Sequence, residues 1–129
     1  MKIYVKEGLL YVKAGLSYQG HQQIFENVLI DTGSAGTMFA TDSVLEMGLT
    51  YEPDDAVHRI RGVGGTEFVF TKQVDGLFIG VLQVNDFSVE VGAMNYGFVV
   101  DGIIGLDFLT QVKAVIDLSK MEIYLSQAL

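Results

Sequence analysis

The stretch NVLIDTGSAGTMF, Asn27 to Phe39, decides how the rest of the chain is read. Val28, Leu29 and Ile30 form an apolar run that reads as a buried strand. Asp31 follows at once, and then the chain turns on Thr32, Gly33 and Ser34. Burying a carboxylate costs several kcal/mol unless it is paired, hydrogen-bonded or protonated. A strand that delivers an acid into a tight turn therefore needs a reason for that acid.

The segments around this stretch read mostly as strands. Ile3 to Val5 and Leu9 to Leu16 are short apolar runs separated by Glu7-Gly8, a turn signal. Gln22 to Ile30 leads up to Asp31. Val57 to Val63 alternates, with Val57 and Arg59 on one face and His58 and Ile60 on the other. Glu67 to Val74 follows across Gly64-Gly65, a pair suited to a tight hairpin. Leu77 to Val84 is a near-continuous apolar run. DFSVEV, Asp86 to Val91, alternates cleanly. Phe98 to Ile104, Ala114 to Leu118 and KMEIYL, Lys120 to Leu125, complete the set. Helix is scarce. TDSVLEMG reads as one short helix with Thr41 as N-cap and Gly48 as its stop. Leu106 to Val112 forms a candidate second helix. Many short strands with glycine turns and little helix indicate an all-β barrel or sandwich.

Composition narrows the function. The 129 residues suffice for one compact domain with a core, and half of them are apolar, which argues against disorder. The formal net charge is −8, from 8 basic and 16 acidic side chains. That balance argues against a nucleic-acid binder and against docking on anionic lipid. Cysteine is absent, which removes disulfides and thiolate metal sites. No apolar run approaches membrane-spanning length, and Lys2, Lys6, Glu7 and Lys13 interrupt the apolar N-terminal stretch. A soluble, cytoplasmic protein without a membrane partner is the expectation.

Three stretches together resemble the aspartic proteases. Asp31-Thr32-Gly33-Ser34 resembles their active-site turn, RGVGGTEF their glycine-rich flap, and DGIIGLDFL their second signature of two aliphatics and a glycine ahead of a helix. With one Asp-Thr-Gly in a short chain, the sequence is similar to the single-lobe, retropepsin-like branch. GLDFL and the flap look more like cellular relatives of the DNA-damage-inducible type than like viral enzymes. The resemblance implies a closed acid-protease β-barrel with one or two short helices, spanning residues 1–129 as a single domain. It also implies a homodimer that hydrolyses polypeptide, with no metal or organic cofactor.

The chemistry such a dimer would run is simple. Two carboxylates share one water and one proton; like charges about 3 Å apart do not both ionise, so their pKa values split. A two-fold axis beside Asp31 supplies its mate, because an isologous contact repeats the same residue. On this reading Asp31 is buried against a second acid. Thr32 matches the residue whose hydroxyl bonds across the dimer, and Gly33 lets the backbone approach the carboxylates. The Ser34 hydroxyl is expected to donate to the outer oxygen of Asp31, favouring its ionised form and a working range well below pH 6. Gly62, Val63, Gly64, Gly65 and Thr66 are the flap residues. Ile60, Ile103 and Asp101 are the candidate pocket residues. Asp101 is either a solvated turn acid beside Gly102 or a pocket carboxylate favouring basic substrate side chains. Viral members carry an Arg after the second-signature glycine, paired with an Asp four residues past the catalytic one. Leu106 and Ala35 replace that pair here.

Other chemistries find no support. His21 and His58 lie far apart without a zinc motif, and Asp54-Asp55 lacks calcium-loop spacing. No Lys-Ser/Thr follows GVGGTE, so a phosphate loop is a poor reading. The main alternative is a dimer that keeps the protease fold and uses its groove to bind peptide or to assemble, without catalysis. Another is a segment of a larger protein whose dimer forms only in that context.

Overall fold

The structure, a computed structural model, describes residues 1–62 and 65–126, with the backbone alone at 61, 62 and 65–67. The strands are β1 (Tyr4–Lys6), β2 (Leu9–Tyr18), β3 (His21–Ile30), β4 (Met38–Ala40), β5 (Val57–Gly62), β6 (Gly65–Ile79), β7 (Leu82–Gly92), β8 (Gly102–Ile104), β9 (Ala114–Asp117) and β10 (Glu122–Leu125). The helices are α1 (Thr41–Val44) and α2 (Leu106–Gln111). The expected all-β class with short helices is what is found.

The main sheet runs β1-β2-β3-β8-β4-β7-β6-β5, and an additional β2–β6 pairing closes it into a ring. Closure pairs Gly15–Ser17 with Gly76–Phe78. A closed ring removes most of the free strand edges an open sheet would expose. Inside it lies a core that includes Leu16, Phe39, Leu77, Ile104 and Phe108, each fully or almost fully buried. Each such side chain contributes about 1.5–3 kcal/mol of hydrophobic stabilisation. A smaller apolar cluster, which includes Tyr11, Leu29, Met38, Val69 and Val100, lies apart from it. The two faces of β3 divide between them: Val28 and Ile30 enter the main core, and Leu29 enters the smaller cluster.

Several elements depart from expectation. The Leu77–Val84 run is not one strand: it ends β6, turns at Gly80-Val81 and starts β7, with Ile79 opposite Leu82. Gly80 takes φ +58, as primed hairpin turns require, and Val81 projects 88% exposed. Only Gly102–Ile104 of the Phe98–Ile104 run is strand. β4 was unmarked in the pattern because all three of its residues are buried, leaving no alternation. Thr41 is the first helical residue, not the cap; Ala40 takes the cap position in extended conformation. α1 passes into a 3-10 turn, Leu45–Met47, which Gly48 ends at φ +84.

The N-terminal residues join the β9–β10 hairpin. Ile123 N–H donates to Met1 O at 2.9 Å and Ile3 N–H to Met121 O at 2.9 Å. No helix among the described residues is long and apolar enough to cross a membrane.

Candidate active site

β3 runs parallel to β8, with Val28, Leu29 and Ile30 opposite Gly102, Ile103 and Ile104. The Asp31 amide extends that ladder by one bond, to Ile104 O at 2.9 Å. The carboxylate then emerges at the surface. Asp31, Thr32 and Gly33 are exposed in the protomer, so the expected burial of Asp31 is not a property of the single chain. The strand behind it is buried; the acid itself stands in solvent, where it needs no compensating partner.

The turn is built from short bonds. Gly33 N–H donates to Asp31 Oδ1 at 2.9 Å, and Ser34 N–H to Asp31 O at 3.1 Å. A Cβ on Gly33 would sit 3.2 Å from Asp31 Oδ1, so glycine permits this approach. The Ser34 hydroxyl does not donate to Asp31. It donates to Gly36 O at 2.7 Å and closes the turn instead. The Ser34 basis for an acid-shifted working range therefore falls away.

The second signature lies directly under the turn. Leu106 N–H donates to Ser34 O at 2.8 Å and Asp107 N–H to Ala35 O at 3.2 Å. A Cβ at Gly105 would come 2.3 Å from Gly36 O, so only glycine allows this contact. Two residues that the motif reading passed over join the halves. Thr37, 1% exposed, donates its hydroxyl to Asp107 Oδ1 at 2.7 Å and its amide to Asp107 Oδ2 at 3.2 Å. Its hydroxyl oxygen accepts the Gly105 amide at 3.1 Å. Asp107 Oδ1 also accepts Phe108 N–H at 2.8 Å. In the sequence, Asp107 reads only as an acid in the first turn of a helix, where it complements the dipole. Leu106 stands 41% exposed beside the turn.

Ile60 and Ile103, the aliphatic pocket candidates, both pack on the smaller cluster with Leu29 and Met38. Asp101 does not join them as a free carboxylate, nor is it a solvated turn acid. It is partly buried: Oδ2 accepts the Asn27 amide at 3.1 Å and Oδ1 accepts the Ser43 hydroxyl at 2.8 Å. With its backbone bonded to Asn27 O and to the Ala40 amide, it ties β3, β4 and α1 together.

β5 and β6 form the expected hairpin, with Gly62 opposite Gly65. Of the residues expected to form a flap, Val63 and Gly64 lie outside the described residues, and Gly62, Gly65 and Thr66 are described in backbone only. Arg59 lies over the Phe68 ring at 5.3 Å on the hairpin's outer face. Where β5 leaves β6, the buried Lys72 ammonium meets Glu52 Oε1 at 2.6 Å and Asp55 Oδ2 at 2.9 Å. His58 Nε2 lies 3.0 Å from Thr71 Oγ1, which reaches Glu90 Oε2 at 3.1 Å. Among the described residues, no group of three or more His, Asp or Glu side chains is placed to hold a metal ion.

A ring of strands carrying an Asp-Thr-Gly turn on a support of half-buried Ile103 and buried Ile104 and Gly105 defines a class, and the comparisons agree with it. The structure is similar to that of a retropepsin-like aspartic protease from Rickettsia conorii, with a TM-score of 0.67 at 15% identity over 95% of both chains. The aspartyl protease family model matches residues 16–108, from β2 to α2, and the chain belongs to that family. No curated protein matches the sequence.

Proposed function

We propose that the protein is an aspartic endopeptidase whose dyad is completed by a second copy of the chain, Asp31 from each protomer sharing one water and one proton. The observation that carries this reading is the exposed Asp31 carboxylate on a turn held rigidly from below, with Oδ1 already accepting Gly33 N–H. A lone exposed carboxylate is a weak base; two held together split their pKa values and supply both an acid and a base. The ionised member takes a proton from the water, and the protonated member polarises the scissile carbonyl.

The substrate in this proposal is an extended polypeptide lying between the β5–β6 hairpin and the Asp31 turn, held by main-chain hydrogen bonds. Ile60 and Ile103 would offer it an apolar wall. The hairpin would act as a lid that excludes water. Cytoplasmic location and kinship with the DNA-damage-inducible type remain part of this proposal and rest on the sequence.

The test is peptidase activity against an unstructured protein such as casein, with sedimentation in parallel. Wild type should cleave and should sediment as a dimer at the active concentration. Asp31→Asn should lower turnover by about 10²–10⁴-fold while leaving the dimer intact. A second reading, a peptide-binding dimer without catalysis, draws on the loss of the viral-type Arg and Asp at Leu106 and Ala35. Peptide binding by wild type and Asp31→Asn alike, with no cleavage by either, would establish that reading and overturn the first.

A further inference from the structure

We infer that Asp107 is a positioning residue, which sets the direction of the Asp31 carboxylate through Thr37. This rests on the reading of Asp31 as the reacting group.

The turn from Asp31 to Thr37 is fastened at both ends to the end of β8 and the segment that follows it. Its entry is held by the Asp31 amide on Ile104 O, and its middle by Ser34 O and Ala35 O on the Leu106 and Asp107 amides. At its exit Thr37 O takes the Glu90 N–H from β7 at 2.9 Å, and the bonds from Thr37 to the Gly105–Asp107 segment each run through a side chain. Asp31 Oδ1 accepts from the Gly33 amide inside the same turn. A turn free to tilt at its exit would carry that amide, and the carboxylate bonded to it, out of register.

The chemistry at the exit requires an anion. Every group facing the Asp107 carboxylate in these bonds is a donor: the Thr37 amide, the Thr37 hydroxyl and the Phe108 amide. A carboxylate accepts all three. Asparagine does not, because either orientation of its amide turns an NH₂ toward a backbone N–H. The Thr37 hydroxyl is equally constrained. It gives its proton to Asp107 and uses its oxygen for the Gly105 amide, so valine at this site would leave the Gly105 N–H without its acceptor and take one of the two donors from Asp107 Oδ1. Thr37 is almost completely buried, and water does not replace what is lost.

The test uses Asp107→Asn, Thr37→Val and the conservative Thr37→Ser. The first readout is amide hydrogen exchange, which requires no activity. In Asp107→Asn and Thr37→Val, the amides of Asp31, Ser34, Gly105 and Leu106 should exchange about tenfold faster, relative to core amides such as Leu16, than in wild type. Thr37→Ser should restore protection to within about threefold of wild type. Acceleration of turn and core amides by the same factor in both Thr37 variants would overturn the inference, whether or not Asp107→Asn folds. The second readout is kinetic. Asp107→Asn should lower kcat by about 10²-fold with KM little changed. Loss of turn protection with kcat intact would also overturn it. A wild type without peptidase activity would sink the proposed function and leave the exchange result to stand or fall by itself.

Discussion

Lys72 Nζ lies 2.9 Å from Asp55 Oδ2, and this contact joins the loop before β5 to the strand that continues beyond the hairpin. Lys72 is 5% exposed, and Glu52 takes a second bond at 2.6 Å. Burial by itself pulls the Lys72 pKa down, but the bonds to Glu52 and Asp55 outweigh it and leave the pKa raised. Asp55 is lowered, chiefly by its bond to Lys72. The Lys72 contribution is complete below its ordinary pKa near 10.5 and is lost as pH rises through the raised value. The Asp55 contribution is complete above its ordinary pKa near 3.8 and is lost as pH falls through the lowered value. Lys72→Met should destabilise by about 1–3 kcal/mol at pH 7, because one partner of a mostly buried pair is removed. The gap between wild-type and variant urea midpoints should narrow at pH 3 and at pH 11. A gap of constant size from pH 3 to 11 would show that the pair contributes nothing.

Ser34→Ala separates two readings of one hydroxyl. In the structure the hydroxyl donates to Gly36 O, so its removal should cost about 0.5–1.5 kcal/mol of stability. The pH profile of peptide cleavage should not move. A displacement of the acid limb by half a unit or more would mean that Ser34 addresses Asp31 after all.

What the sequence made legible, and what it did not, follows from the range of the forces involved. β2 and β3 were legible because apolar runs and glycine or acid breaks are local signals. α2 was legible as the candidate helix Leu106 to Val112, which the resemblance also placed after Gly105. The Gly80 turn was hidden within an apolar run, since periodicity alone does not say where such a run folds back. Ser34 was assigned to the wrong acceptor because two oxygens, on Asp31 and Gly36, lie within reach of one side chain, and only the folded turn chooses. Asp101 and Asp107 were missed as fasteners because their partners are remote: Thr37 is 70 positions from Asp107, and Ser43 is 58 from Asp101. No pattern of local spacing encodes such a bond.

Asp101 should matter for stability and not for substrate choice. Both its oxygens are occupied, by the Asn27 amide and the Ser43 hydroxyl. Asp101→Asn keeps one acceptor and should destabilise by about 1–3 kcal/mol. Ser43→Ala should cost about 0.5–1.5 kcal/mol, and the double variant should lose less than the sum, because the two share a bond. Cleavage profiles across a peptide library should be the same for wild type and Asp101→Asn. A weakened preference for Lys or Arg in the variant would return Asp101 to the pocket.

Gly36 and Gly105 meet across the floor of the turn, yet the structure treats a methyl group on each oppositely. A Cβ at Gly105 would stand 2.3 Å from Gly36 O and 2.7 Å from Ser34 O, both backbone atoms that bonds already hold in place. Neither oxygen moves without opening the turn, so Gly105→Ala should destabilise by about 3 kcal/mol or more. A Cβ at Gly36 would meet nothing within 4 Å, and Gly36 is not among the positive-φ residues. Gly36→Ala should therefore be neutral or stabilise by up to about 1 kcal/mol, by restricting the unfolded chain. Thermal or urea unfolding of the two variants checks the contrast directly. Equal destabilisation by both would mean that the Asp31 turn does not rest on Gly105, and that its rigidity, on which the catalytic reading of Asp31 depends, has another source.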